Sequence, residues 1–400
     1  MDALALPAVA VIGVDSPIGL TVIRELGARG VRVFALGRTA DALGRWSRHV
    51  HRFDVIAGPL ADWLPAYVQR HGIGAVMAIS ESQLLQLAAL KGQLGECRVL
   101  CPDRAHLDIV LDKPRTLELA AGLGLAVPES WQPQAEEDRA ARAATLAYPV
   151  AIKWADPNAV APLLAAAGLP LDKVAYAADA PALRAVLARY DALGHWPLVQ
   201  TWCPGEGLGQ MLHMHDGRAT LRFTHRRLRE WPPSGGVSSF CAAEPEAAHA
   251  AQMALSERLL AAMGWQGPAM VEYRHDPATG TYWLMEVNGR FWGSIPLAWH
   301  AGAHFAWETY RCGVLDGAGA APGAQRRVRA RYAIPDAKHL VAVLRDGTRP
   351  LSARIGLALR MACDGMDPRV RHYVWAWSDP LPLLGDLWGI VRRRGRKGTG

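Results

Sequence analysis

Glu286, Asn288 and Arg290 stand two residues apart in the run from Trp283 to Gly293. Side chains alternate faces along a β-strand. A strand here lines up a carboxylate, an amide oxygen and a guanidinium on one face. Leu284 lies behind them on that face, and Met285 and Val287 point the other way into a core. Two oxygen donors suit a hard cation such as Mg²⁺, and a neighbouring guanidinium suits an anion bridged to it. The plain alternative is a polar strand face open to water. Glu272 decides between them. Residues 269–274 read as a second strand with Glu272 and Arg274 on one face, and His275 to Gly280 is turn chemistry. The hairpin brings Glu272 within a rung or two of Glu286 in any sensible register. Carboxylates that close repel unless a cation lies between them, so a metal site is the better reading.

Other residues could serve the anion. Residues 148–154 form an apolar strand that delivers one ammonium, Lys153, to a fixed point suited to a phosphate; a surface lysine is the plain alternative. Lys113 follows Asp112 and precedes Pro114, so it sits at the start of a helix within the helical stretch 107–125. The basic run His225 to Arg229 feeds a Pro/Gly loop ending at Gly236. It is either a solvated face or an anion clamp led by Arg226 and Arg229.

The E-x-N-x-R pattern, with a strand-borne Glu at this distance before it, resembles the metal-binding end of the ATP-grasp superfamily. Met285 to Gly293 is similar to a bacterial carboxylate–amine ligase branch of it. The resemblance is recognisable over residues 105–315. It implies an α/β chain: a Rossmann-like domain over 1–105, an α+β ATP-grasp module with a linker helix and first subdomain over 106–197 and a second subdomain over 198–315, then a small C-terminal region over 316–400. It implies an ADP-producing ligase that activates a carboxylate as an acyl phosphate and joins it to an amine. Glu272, Glu286 and Asn288 would hold one or two Mg²⁺ ions, with Mn²⁺ as an alternative. Lys113 and Lys153 would hold the ATP phosphates. Gln200, Thr201 and Cys203 match the hinge that faces adenine, Glu206 the ribose contact, and Arg290 the group that stabilises charge at the acyl phosphate. Two departures stand out. Gln200 replaces the family's usual Glu, and residues 155–173 lack the usual Gly/Ser-rich phosphate loop, which leaves Lys173 as a candidate substitute.

The N-terminal stretch supplies the runner-up. Residues 8–38 read as a β-α-β unit with Gly13 and Gly19 at its first turn and Arg38 after its second strand. An NAD(P)-dependent oxidoreductase or epimerase would use such a unit. Asp15 breaks the G-x-G-x-x-G pattern, so a Rossmann-like domain without dinucleotide fits better. Ser80, Glu81 and Ser82 close another buried strand. They read as a helix cap or, less strongly, as groups facing substrate at the carboxyl end of the sheet. A non-catalytic ATP-binding regulator is the third reading, and the complete metal-ligand set argues against it.

Composition agrees with an enzyme of small anionic substrates. Four hundred residues, half of them apolar, can fill two or three cores. A net charge of +7 suits nucleotides without calling for nucleic acid. The six scattered cysteines form no CxxC pair and read as reduced thiols. The start lacks a basic signal region, and no apolar run reaches membrane-spanning length. Together these suggest a cytoplasmic protein. Leu381 to Ile390 is apolar, and Arg392 to Lys397 is basic. A solubilising tail is the plain reading there, and weak contact with an anionic membrane surface the alternative.

Overall fold

The computed structural model describes residues 6–172, 174–233, 235–319, 323 and 325–397. Lys173 and Ser234 lie outside them, as do the side chains of the basic tail from Arg392 to Lys397.

The chain opens with a parallel sheet. Its strands are β1 (Ala8–Ile12), β2 (Val33–Gly37), β3 (Val50–Val55), β4 (Ile73–Ala78) and β5 (Arg98–Val99), in the order β3-β2-β1-β4-β5. β1 and β2 are buried at every position, as expected of parallel strands covered on both faces. The connecting helices are α1 (Pro17–Gly27), α2 (Leu60–His71) and α3 (Glu81–Ala89). Ser80 caps α3 by accepting from the Gln83 N–H. The stretch 107–125 resolves into two helices, α4 (Arg104–Leu111) and α5 (Lys113–Gly122). They meet at Asp112, whose carboxylate accepts from Arg115 N at the start of α5.

Next comes a four-stranded antiparallel sheet of β6 (Ser130–Trp131), β7 (Val150–Lys153), β8 (Ala175–Ala177) and β9 (Leu198–Thr201), ordered β6-β9-β7-β8. The helices α6 (Arg139–Ala144), α7 (Pro157–Ala166) and α8 (Ala180–Ala188) pack with it. This unit has its own core, from Trp131 to Val199. α7 lies within residues 155–173, the segment noted above for lacking a Gly/Ser-rich loop, and places Val160 and Leu164 in that core.

The third sheet carries β10 (Glu206–His215), β11 (Arg218–Trp231), β12 (Val237–Ala243), α9 (Ala250–Ala262), β13 (Gly267–Asp276) and β14 (Thr281–Asn288). The basic run His225 to Arg229 lies inside the long strand β11. After α10 (Ile295–Ala301) and α11 (Phe305–Val314), the short strand β15 (Arg329–Arg331) joins this sheet. The chain then forms α12 (Ala333–Arg345), α13 (Leu351–Met366), β16 (Val370–His372) and α14 (Leu381–Lys397), giving the order β14-β13-β10-β11-β12-β15-β16. The C-terminal region therefore completes the large sheet.

Two hydrophobic clusters run continuously from the N-terminal sheet to the large one. One joins Ile12, Val76, Leu117, Leu259, Val271 and Leu284, and the other joins Leu20, Ile23, Phe223, Trp292 and Phe305. Leu107 and Leu117 of α4 and α5 belong to the first of these. A buried ion pair ties the C-terminal region to α1. Arg24 Nε donates to Asp379 Oδ2 at 2.9 Å, with both side chains 1% exposed.

Candidate active site

β13 and β14 pair antiparallel, with Glu272 opposite Glu286 and Met270 opposite Asn288. The register then shifts between Glu272 and Tyr273, so that Tyr273 faces Leu284. Met285 is the extra residue of this bulge, and the bulge reverses the alternation before it. Leu284 is fully buried in the core with Val287, whereas Met285 lines the cleft. The sequence expectation for these two residues is thereby corrected. A simple period of two fails where a residue is inserted.

The two carboxylates are met by cations from three other elements. Arg227 on β11 donates to Glu272 Oε2 at 2.5 Å and to Glu230 at 3.2 Å. Lys113, the first residue of α5, lies 3.9 Å from Glu286 Oε2 and donates to Ala155 O at 3.0 Å. Lys153, the last residue of β7, donates to Met285 O at 3.4 Å. Burial pulls the Lys153 ammonium below its ordinary pKa, and Glu286 pulls it the other way. Asn288 donates to Glu286 Oε1 at 3.1 Å and accepts from Arg290 Nη2 at 3.1 Å. Arg290 Nε in turn donates to Glu81 Oε1 at 3.0 Å. Glu81 begins α3 just after the Ser80 cap, so it opens the helix and also holds Arg290.

Beside this cluster lies a cavity of about 510 Å³ between the small sheet and the large one. Lys153, Gln200, Thr201 and Cys203 line it from one side, and Arg274, Glu230 and Met285 from the other. Gln200 is also bound, donating to Ser130 Oγ at 2.7 Å. Two carboxylates on one rung with an adjacent amide form an oxygen donor set that fits a hard divalent cation. The cavity beside it has the volume of a small-molecule site.

No protein-family model matches the chain. No curated protein matches it by sequence. Solved structures match it in shape. An N5-carboxyaminoimidazole ribonucleotide synthetase in its ADP complex aligns with a TM-score of 0.64 at 14% identity, over 86% of this chain and 88% of that one. The L-amino acid ligase from Bacillus licheniformis aligns at 0.58 and 17% identity, over 77% and 74%. The biotin carboxylase domain of the Hydrogenobacter thermophilus 2-oxoglutarate carboxylase, solved with MgADP, ADP and bicarbonate, aligns at 0.60 and 13% identity, over 80% and 72%. The chain has the ATP-grasp fold.

Three residues expected at the ATP-grasp site are engaged elsewhere. Arg229 is not an open clamp: it donates to both oxygens of Asp336 at 2.7 and 2.9 Å and to Asp364 at 2.7 Å, and is 8% exposed. It stacks over Phe240 at 4.2 Å. Register shifts on either side of Arg229 separate it from Arg227, so the guanidinium that reaches the carboxylates is Arg227. Arg226 binds Glu244 at 2.9 Å and Glu206 at 3.1 Å. Glu206 is thus held in a surface ion pair and is not among the residues lining the cleft. A run of like charges gives no sign of which member faces the site. The cues that would have singled out Arg227 are the bulges, and they leave no composition signal.

The dinucleotide alternative meets an obstacle in the first βα turn. A Cβ on Gly13 would lie 2.4 Å from Gln83 Oε1, and Asp15 accepts from Arg38 N at 3.0 Å. A glutamine and a carboxylate occupy the turn that would have to cradle a pyrophosphate. Elsewhere, His213, Glu308 and Cys312 cluster within 4.8 Å of one another. Arg311 takes both oxygens of Glu308, at 2.8 and 2.9 Å. This trio is therefore a neutralised ion pair with two neighbours.

Proposed function

We propose that the protein is an ATP-dependent ligase that activates a small carboxylate and joins it to an amine. The observation that carries this reading is the rung shared by Glu272 and Glu286, ringed by Lys113, Lys153, Arg227 and Arg290 beside a cleft of nucleotide size. The ADP-bound and MgADP-bound neighbours support it.

In this reading Glu272, Glu286 and Asn288 would hold Mg²⁺, which would supply charge neutralisation for the ATP phosphates. Gln200, Thr201 and Cys203 border the adenine end. Lys113 and Lys153 reach the phosphates from two separate elements, so the triphosphate is fixed at two points. The substrate carboxylate oxygen attacks the γ-phosphorus, an O–P bond forms, and the bond to ADP breaks. The amine then attacks the acyl carbon, the C–O bond to phosphate breaks, and phosphate and a proton leave. Neither step needs a covalent side chain; both need positioning and charge neutralisation. Arg290, held by Glu81 and Asn288, presents its guanidinium where the acyl phosphate carries charge.

Hydroxylamine tests this reading, because it captures acyl phosphates as hydroxamates. Incubation with Mg·ATP and a panel of small carboxylates should yield one hydroxamate in a single acid's presence, with equimolar ADP. Tight Mg·ATP binding with no ADP or hydroxamate from any acid would favour a nucleotide-binding regulator.

A further inference from the structure

α14 is docked in reverse. Pro382, Gly385 and Gly389, spaced i, i+3 and i+7, are its buried positions. Gly385 lies so close to the indole of Trp46 that a Cβ would sit 2.3 Å from it. The large apolar residues face outward: Leu381, Leu384, Leu387 and Trp388 are 48–59% exposed, and nearby Trp377 is 86% exposed. A helix normally buries its large apolar side chains and exposes small or polar ones. Here the small face holds the helix to the protein and the apolar face is offered to the surroundings. α13 does the same. Leu351, Ile355, Leu359 and Met366 recur at helical spacing on its exposed side, at 64%, 49%, 63% and 75%.

Charge identifies the surroundings that fit. Residues 326–400 hold sixteen Arg and Lys against six Asp and no Glu, a net charge of +10 in a chain of +7. The rest of the protein is therefore slightly acidic. The acids of this region are largely spent internally: Asp336 and Asp364 on Arg229, Asp367 on Arg329, Asp379 on Arg24 and Asp346 on Arg349. Among the described residues, exposed Lys338, Arg345, Arg360, Arg369 and Arg371 enter no ion pair. Directly after the α14 stripe the sequence reads Arg392, Arg393, Arg394, Arg396 and Lys397.

We infer that the C-terminal region docks on an anionic membrane surface, with α14 lying in the plane of the interface. The Leu/Trp stripe would enter the headgroup boundary, and the basic residues would meet the lipid phosphates. None of the helices among the described residues is long and apolar enough to cross a membrane, so the contact is peripheral. A second copy of the chain fits less well, because two surfaces of this charge repel. Nucleic acid fits less well, because it is bound through phosphates and polar base edges and would leave the exposed leucines of the stripe without an apolar partner.

The test is co-sedimentation of the full chain with phosphatidylcholine vesicles with and without phosphatidylserine. It does not require the ligase reading to hold. Wild type should pellet with the anionic vesicles alone and be released by salt. The pair Leu384→Gln and Leu387→Gln, at exposed positions, should weaken binding by about tenfold or more at unchanged melting temperature. Replacing Arg392, Arg393 and Arg394, beyond the Leu/Trp stripe in the sequence, by Ala should do likewise. Three results would overturn the inference: no vesicle binding by wild type, binding by both variants as strong as that of wild type, or wild type that ignores vesicles but dimerises through the stripe or retains RNA.

Discussion

Glu272 and Glu286 face each other across a single rung, and among the described residues each is met by a cation from a different part of the chain, Glu272 by Arg227 of β11 and Glu286 by Lys113 of α5. Two carboxylates so placed repel, and the surrounding cations offset that repulsion. Under the proposed function these acidic oxygens would share a divalent ion.

Lys153 should impose an unusual alkaline limit. Burial lowers its pKa, with Glu286 opposing. In the free enzyme its charge is lost at a lower pH than an ordinary lysine's. The value of kcat/KM for ATP should therefore fall on the alkaline side earlier than a normal lysine would dictate. Lys153→Arg should move that fall to higher pH, whatever it does to the plateau. An unchanged alkaline limb would remove Lys153 from the phosphates.

Arg229 and Arg226 should separate stability from surface charge. Arg229→Ala takes from Asp336, which is 2% exposed, its two shortest ion-pair contacts. Among the described residues it leaves Asp336 only Ser239 at 3.2 Å and Arg331 at 4.0 Å, and it should cost about 3 kcal/mol in urea unfolding. Arg226 lies in an exposed pair with Glu206, so Arg226→Ala should cost less than about 1 kcal/mol. Equal losses would contradict the burial argument.

Glu25 should make stability fall as pH rises. Its buried carboxylate accepts from Ala306 N and Trp307 N, and burial pushes its pKa from 4.5 to about 8. Between those values the folded protein keeps a proton that the unfolded chain releases. The stabilisation is complete below about pH 4.5 and is lost as pH rises through about 8. Glu25→Gln should flatten the decline in melting temperature over that window. A wild-type slope in the variant would place the dependence elsewhere.

Glu81 acts through Arg290, which it contacts at 3.0 Å. Glu81→Gln should lower kcat about tenfold or more while leaving KM for ATP nearly unchanged. A KM effect alone would assign Glu81 to nucleotide binding.

Much of this was legible in the sequence, where local pattern carries the information. Glu286, Asn288 and Arg290 were readable from a period of two, and Glu272 from the turn between the strands. Lys113 and Lys153 were readable as element ends, where a side chain is presented at a fixed point. What escaped depended on irregularity or distance. The bulge at Met285 exchanged the faces of Met285 and Leu284. Shifts around Arg229 decided which arginine meets Glu272. The partners of Arg229 lie 107 and 135 positions away, beyond the reach of any spacing rule. β15 and β16, three residues each, are too short to show a period.

The most direct measurement is ADP release from ATP as Mg²⁺ is titrated, with the acid and amine that support turnover, for wild type, Glu272→Gln and Glu286→Ala. Wild type should turn over ATP only with the metal, each variant should lose about a hundredfold or more, and melting temperatures should show both variants folded. Folded variants that turn over ATP at the wild-type rate and with the wild-type Mg²⁺ dependence would contradict the proposed metal site.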